Sequence, residues 1–211
     1  MSCIEIVCSR AVIHRGDNVR THLTNTFQLA TPRLLLRPWQ DRDRVPFAAF
    51  NADPLVMTYF AAPMTLAETD EAMARYNMQL DRDGFTMFAA EHRETGDLAG
   101  VIGMQTMRTI VPNLPQPAVE IGWRLAGEYQ GQGLATEGAR AIVDYAFQQL
   151  RLPEVVAITA VGNTASRRVM EKLNMTHRPE LDFDHPLIPA GHPHQRHVLY
   201  ALANTASQEA A

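Results

Sequence analysis

Lysine is almost missing from this 211-residue chain: Lys172 stands alone among nineteen basic residues. Without a Gly-Lys-Ser/Thr element there is no Walker A phosphate loop. Cysteine is nearly as scarce. Cys3 and Cys8 are too few for a disulfide framework and read as two reduced cytosolic thiols. Positive charge is not in surplus either. Nineteen basic against twenty-three acidic residues give −4 and a pI of about 6.0, so no global field makes nucleic acid the default partner. No apolar stretch approaches the ~18 residues of a membrane span. Glu5 interrupts the apolar N-terminal patch and no basic segment leads into it, which argues against a signal peptide. The expected location is cytoplasmic, with neither nucleic acid nor membrane as partner. The excess of arginine over lysine reads as a GC-rich coding bias.

What is present is an ordinary globular balance, 46% apolar and 20% charged. A chain of this mass should bury roughly 70% of the surface it exposes unfolded, enough for one unaided core. Residues 1–27 lack a period and read as a poorly packed arm. Residues 28–204 read as one domain and 205–211 as a small polar tail. Leu34-Leu35-Leu36 looks like a first strand. Asp41 can cap a helix that Asp53-Pro54 stops. Thr65 and Glu68 fit a capping box opening a helix to about Arg82, with Gly84 ending it. Strands follow at Phe85–His92 and Leu98–Thr106 around a Gly96 turn. Val111–Pro117, with three prolines, must be loop. A strand at Ala118–Leu125, a helix at Gly133–Gln149, a strand at Val155–Ala160 and a helix at Thr164–Leu173 come next. Met175–Phe183 and His197–Leu202 read as the last strands. The order is mixed α/β, with a central antiparallel run and crossover helices.

Between a strand and a helix stands Gln130-Gly131-Gln132-Gly133-Leu134-Ala135-Thr136. Side-chain-poor backbone at a helix N-terminus lets a phosphate reach free N–H groups, favoured by the helix dipole. A dinucleotide fingerprint needs a third Gly where Thr136 stands and an acid at the end of the next strand, whereas Glu154 lies at its start. A coenzyme A pyrophosphate is the remaining ligand class. A plain strand–helix connection is the bland alternative.

The segment resembles the Gcn5-related N-acetyltransferases, whose signature reads Gln/Arg-x-x-Gly-x-Gly/Ala; Gln130, Gly133 and Ala135 fit it. Glu120-Ile121-Gly122-Trp123-Arg124-Leu125 looks like that family's fourth strand. Asn163-Thr164-Ala165-Ser166 looks like the Asn-x-x-Ser helix of its RimJ/RimL-type branch. Asn174 departs from the branch's usual Gly, although Asn tolerates the left-handed turn after a helix. The resemblance runs from about Leu29 to Leu202. It implies a mostly antiparallel central sheet with a splayed parallel strand pair, Ala118–Leu125 and Val155–Ala160, flanked by helices. It also implies acetyl-CoA as donor, with pantetheine along Trp123, Arg124 and Leu125, a cofactor-binding segment at Gln130–Thr136, and the pyrophosphate on the N–H groups of Gly131–Ala135. A backbone N–H near Trp123 would polarise the thioester carbonyl. The acceptor would be a primary amine, on a small molecule or a protein N-terminus, and the protein a monomer or homodimer.

Under that resemblance Glu120 is the candidate base for the attacking amine; the bland reading is a carboxylate paired with Arg. Ser166 is the candidate to protonate or bind the departing thiolate, and Asn163 to cap its helix or bond pantetheine. Asp184 and His185, in a C-terminal cluster with His192, His194 and His197, are alternative bases. Their spacing does not suit a metal, and none is expected. Trp39, Phe47, Tyr59 and Phe60 are either acceptor-pocket walls or core. Direct acetyl transfer in a ternary complex is the leading function. A non-catalytic acyl-CoA-binding module on the same fold is the alternative, separable by thiol release on adding an amine.

Overall fold

A computed structural model describes residues 5–7 and 27–205. Among them, one sheet holds ten strands: β1 Glu5–Val7, β2 Gln28–Ala30, β3 Leu34–Arg37, β4 Met87–His92, β5 Leu98–Thr106, β6 Val119–Leu125, β7 Glu154–Ala160, β8 Thr176–His177, β9 Phe183–Asp184 and β10 Arg196–Ala203. The helices are α1 Arg44–Ala52, α2 Leu66–Asp83, α3 Leu134–Gln148 and α4 Thr164–Lys172. The sheet order is β1-β2-β3-β4-β5-β6-β7-β10-β8, with β9 on β10. Every pairing is antiparallel except β6 with β7. This is a single mixed α/β domain with a mostly antiparallel sheet and one parallel pair, as the sequence implied.

Strand alternation sorts the core. Phe88, Ala90, Ile102, Ile121, Leu125, Val155 and Ala157 face α3 and α4, where they pack on Leu134, Ile142 and Met170. The opposite face carries two smaller clusters. Met87, Ala89 and Val101 pack under α1 and α2 with Trp39, Phe47 and Phe50. Val156, Leu199 and Ala201 pack under the C-terminal loops with Leu181 and Phe183.

The local signals act as their chemistry dictates. Thr65 Oγ1 accepts from the Glu68 N–H at 3.2 Å and the Glu68 carboxylate accepts from the Thr65 N–H at 2.7 Å. Gly84 closes α2 at φ 78, and Asn174 holds φ 62 beyond α4. The helix expected from Asp41 begins instead as a 3-10 turn, Asp41–Asp43, before α1.

Two readings need correction. Phe27, placed in a loose arm, is 2% exposed and stacks on Phe88 with centroids 4.7 Å apart. Residues 5–7 add an edge strand to β2. A three-residue strand is too short to leave a period in the sequence. The remainder of the arm (1–4 and 8–26) and residues 206–211 of the tail lie outside the described residues. The continuous strand expected over Met175–Phe183 is broken into β8 and β9 by a 3-10 turn at Pro179–Leu181. Pro179 has no N–H for a ladder.

A buried ion cluster fixes the start of the domain. Arg37 is 2% exposed on β3. It donates to both Asp43 oxygens, at 2.6 and 2.8 Å, and to Glu91 at 2.8 Å. The planar guanidinium fork suits that bidentate grip. Asp43→Asn should lower unfolding free energy by about 2–4 kcal/mol, because it breaks the bidentate grip and leaves the buried Arg37 charge to Glu91 alone. Chemical denaturation checks this, and a loss below about 1 kcal/mol would show that the cluster is not holding the fold.

Candidate active site

The site grows out of a failure of strand pairing. β6 and β7 share one register pair, Glu120 with Val156, and then part. On their outer edges both strands are fully paired, β6 to β5 from Gly100 to Thr106 and β7 to β10 from His197 to Ala203. The gap therefore opens in mid-sheet, bounded by rigid walls. Backbone groups of β6 beyond Glu120 that point toward β7 bond to no strand. Such groups seek a partner.

The loop after β6 runs through a 3-10 turn at Gly127–Tyr129 to α3. Gly131 and Gly133 have φ of 73 and 81, and Gly133 is the α3 N-cap with no side-chain cap bond. The first-turn N–H groups of Leu134, Ala135 and Thr136 are thus left for an external acceptor. A Cβ built on Gly131 meets nothing within 4 Å, and one on Gly133 meets only Arg33 Nη2 at 3.7 Å. This open cradle fits a pyrophosphate. Within it the Gln130 side chain donates to the Leu125 carbonyl at 2.9 Å and Gln132 to the Glu128 carbonyl at 2.6 Å, so both glutamines shape the loop. The Leu134 side chain is core.

Arg33, which sequence reasoning did not single out, supports this loop. It donates from Nη1 to the Gln132 carbonyl at 3.0 Å and from Nε to Glu137 at 2.7 Å. Burial works against the Glu137 charge, but bonds from the Thr31 hydroxyl and Arg33 hold its carboxyl below the usual range. The two partners are over a hundred positions apart, and no local period could have paired them.

Strand alternation divides the β6 candidates. Trp123 and Leu125 face the α3 core. Glu120, Gly122 and Arg124 face the other way, Glu120 in register with Val156 and Arg124 with Val101. Glu120 therefore sits between the two smaller apolar clusters. Among the described residues its side-chain partner is Gln105 Nε2 at 3.4 Å and none is an arginine, and burial pushes its carboxyl up to about 7. The paired-carboxylate reading is thereby excluded. Asn163 caps α4 as expected, its Oδ1 accepting from the Ser166 N–H at 3.1 Å. Ser166 lies half-buried in the first turn of the helix that follows β7, on the wall opposite Glu120's strand.

A loop between α1 and α2 spans the gap on the Glu120 face. Its Met57 accepts from Arg124 Nη1, and its Tyr59 hydroxyl lies 3.4 Å from the Gly162 carbonyl beyond β7. Tyr59 also meets the His194 ring, centroids 4.8 Å apart, joining this loop to the C-terminal one. Tyr59 and Phe60 thus border the cleft. Trp39 and Phe47 do not: both are buried core, with rings 4.1 Å apart. Of the alternative bases, Asp184 is largely exposed and faces Arg196 at 3.5 Å. His185 is held neutral by burial and by His197, whose ring lies 4.7 Å away. Among the described residues, no group of three or more His, Cys, Asp or Glu is placed to hold a metal. No helix there is long and apolar enough to cross a membrane.

The acetyltransferase (GNAT) domain profile matches residues 33–176, and the chain belongs to that family. It is 34% identical over 150 residues to the uncharacterized protein YkkB of Bacillus subtilis (strain 168), covering 70% of this chain and 84% of that one. It is similar to the crystal structure of an acetyltransferase from Agrobacterium tumefaciens str. C58, with TM-score 0.67, 27% identity, and 89% and 99% of the two chains covered. It shares its fold with RimL, a ribosomal L7/L12 α-N-protein acetyltransferase solved with coenzyme A, at TM-score 0.67 and 18% identity, covering 83% and 97%.

Two outcomes are expected. Gly133→Asp should sharply weaken acetyl-CoA binding by calorimetry, because the side chain adds like charge in the cradle and strains a positive φ. Unchanged affinity would displace the pyrophosphate from this loop. Separately, the raised Glu120 pKa means the folded state binds more protons than the unfolded state between about pH 4.5 and 7. Stability should fall as pH rises through that window. Glu120→Gln should therefore be more stable than wild type above pH 7, by about 1–3 kcal/mol, with the difference fading below pH 4.5. Thermal melts across pH read this directly; a variant no more stable at pH 8 would contradict it.

Proposed function

We propose that this protein is an acetyl-CoA-dependent N-acetyltransferase of the RimJ/RimL type, acting in the cytoplasm on a primary amine by direct transfer in a ternary complex. The observation that carries the reading is Glu120: a carboxyl with a pKa of about 7, on the wall of the gap between β6 and β7. A base with that pKa is half ionised near neutral pH and matched to taking a proton from an ammonium, directly or through water. The family relationship supports acetyl-CoA as donor, and the open α3 N-terminus supports its pyrophosphate on Gly131–Ala135. Asn163-x-x-Ser166 on α4 supports the branch.

In this reading Glu120 removes a proton from the bound ammonium. The neutral nitrogen attacks the thioester carbonyl, whose developing oxyanion is met by backbone N–H near Trp123. The carbon–sulfur bond breaks, and Ser166 donates its hydroxyl proton to the leaving thiolate or binds it by hydrogen bond. The proton gained by Glu120 leaves to solvent, and the Ser166 alkoxide regains one from the acetylated nitrogen or water.

A thiol-release screen over amines tests the function itself; cofactor binding without release for any amine would favour the non-catalytic module. With an acceptor found, kcat/KM should rise through about pH 7 as Glu120 ionises. Glu120→Gln should lower turnover about 10²-fold, with partial rescue at high pH. Ser166→Ala should depress kcat with little change in acceptor KM. Near-normal turnover in Glu120→Gln, with collapse in His185→Ala, would move the base to the C-terminal loop.

A further inference from the structure

Arg124 is the charged side chain on the acceptor face of β6 that the mechanism above does not use. Its side chain is only partly exposed, and every partner it has is neutral. Nη2 donates to Asn51 Oδ1 at 2.6 Å and Nη1 to the Met57 sulfur. Its Cζ lies 4.6 Å from the Phe50 ring centroid and 4.8 Å from that of Phe60. No carboxylate among the described residues forms an ion pair with it. Arg37, buried on β3, contrasts with it by holding two carboxylates. Burial lowers the Arg124 pKa to about 10, with Tyr76 opposing the shift.

A guanidinium carries five N–H donors in a planar fork. Asn51 and Met57 account for two. The aromatic faces orient the plane but do not neutralise it. Asn51 is 0% exposed and anchored on α1, so the fork is held in place from one side with donors to spare. Phe60, on the loop over the gap, is 50% exposed and lies outside the buried core.

We propose that Arg124 binds a carboxylate of the acceptor, so that the substrate is an amine bearing a carboxylate several bonds away. This rests on the acetyltransferase reading above. Glu120 and Arg124 are four positions apart on one strand face, about 13 Å of backbone at ~3.3 Å per residue. Gly122 stands between them without a side chain, and the Met87 methyl fills the space above it, 3.2 Å from where a Cβ would be, so an acceptor chain between the two would lie on an apolar floor. An α-amino acid, whose two charges share one carbon, is too short to reach both; an ω-amino acid or the end of a short peptide fits. One guanidinium supplies one positive charge, which a carboxylate balances and a dianionic phosphate does not.

The test compares three acceptors of one length with the intact protein: 6-aminohexanoate, hexylamine and 1,6-diaminohexane. Wild-type kcat/KM should favour 6-aminohexanoate over hexylamine by about tenfold or more, the scale of a charge-assisted pair, with the diamine poorest. Arg124→Met should erase that ratio, and Arg124→Lys should keep part of it. A purely structural role would lower all three acceptors together and leave the ratio unchanged, overturning the assignment. Equal or better use of the diamine by wild type would overturn it without any variant. Loss of acetyl-CoA affinity in Arg124→Met, read by calorimetry, would reassign the residue to the donor side. Thiol release with any of the three amines separates failure of this inference from failure of the acetyltransferase reading, which would show none.

Discussion

The structure depends on one interruption: β6 and β7 begin as neighbours at Glu120 and Val156 and then separate. A gap in the middle of a sheet leaves backbone N–H and C=O groups without partners, which is costly unless something else bonds them. The chain tolerates it because each wall is held from behind. β6 is paired to β5 and β7 to β10 along their full lengths. The helices that follow the two strands take opposite tasks at the gap. α3 ends its loop in an open, glycine-lined N-terminus, whereas α4 is closed by its own Asn163 cap. The same topology thus leaves free helix N–H groups on one wall and sets the Ser166 hydroxyl on a capped helix at the other.

A single strand serves both core and site. Ile121 and Leu125 bury against α3 while Glu120, Gly122 and Arg124 turn to the cleft. Period-two alternation makes this division automatic, and a slip of one residue would put the carboxylate in the apolar core and the isoleucine in the cleft. The concentration of candidate site residues on β6 follows from this geometry.

Much of this was legible in the sequence because it is local. Capping chemistry at Thr65 and Glu68, the Gly84 stop and the apolar runs of β5, β6 and β7 specify themselves within a few residues. The glycine turn and the Asn163 cap are equally short-range, so the candidate site could be placed on its elements. What was missed is long-range or too short. β1 and β2 are three residues each and take their stability from pairing, and Phe27 is core only because Phe88 is there to stack on. Arg33 gains its place from Glu137, and the split between core Trp39 and cleft-side Phe60 depends on where a loop lands. Pro179 was visible, but Met175–Phe183 read as one continuous strand.

The two arginines, buried Arg37 and half-buried Arg124, show where the protein spends its electrostatics. Around Arg37, Asp43 and Glu91 compensate the charge and the cluster ties β3, the following turn and β4 together. At the cleft the opposite choice is made. Glu120 has an amide for a neighbour instead of a cation, and Arg124 has an amide, a thioether and two rings instead of an anion. The sequence contains acids and bases enough to have paired both. Unpaired, each raises the free energy of the empty fold, Glu120 by disfavouring its ionised form and Arg124 by holding a charge away from water. An ammonium presented to one and a carboxylate to the other would relieve both at once, so part of the cost borne by the folded protein returns as acceptor affinity. On the proposed reading, the sign of that exchange makes the cleft face of β6 a recognition surface rather than a weakly built part of the core.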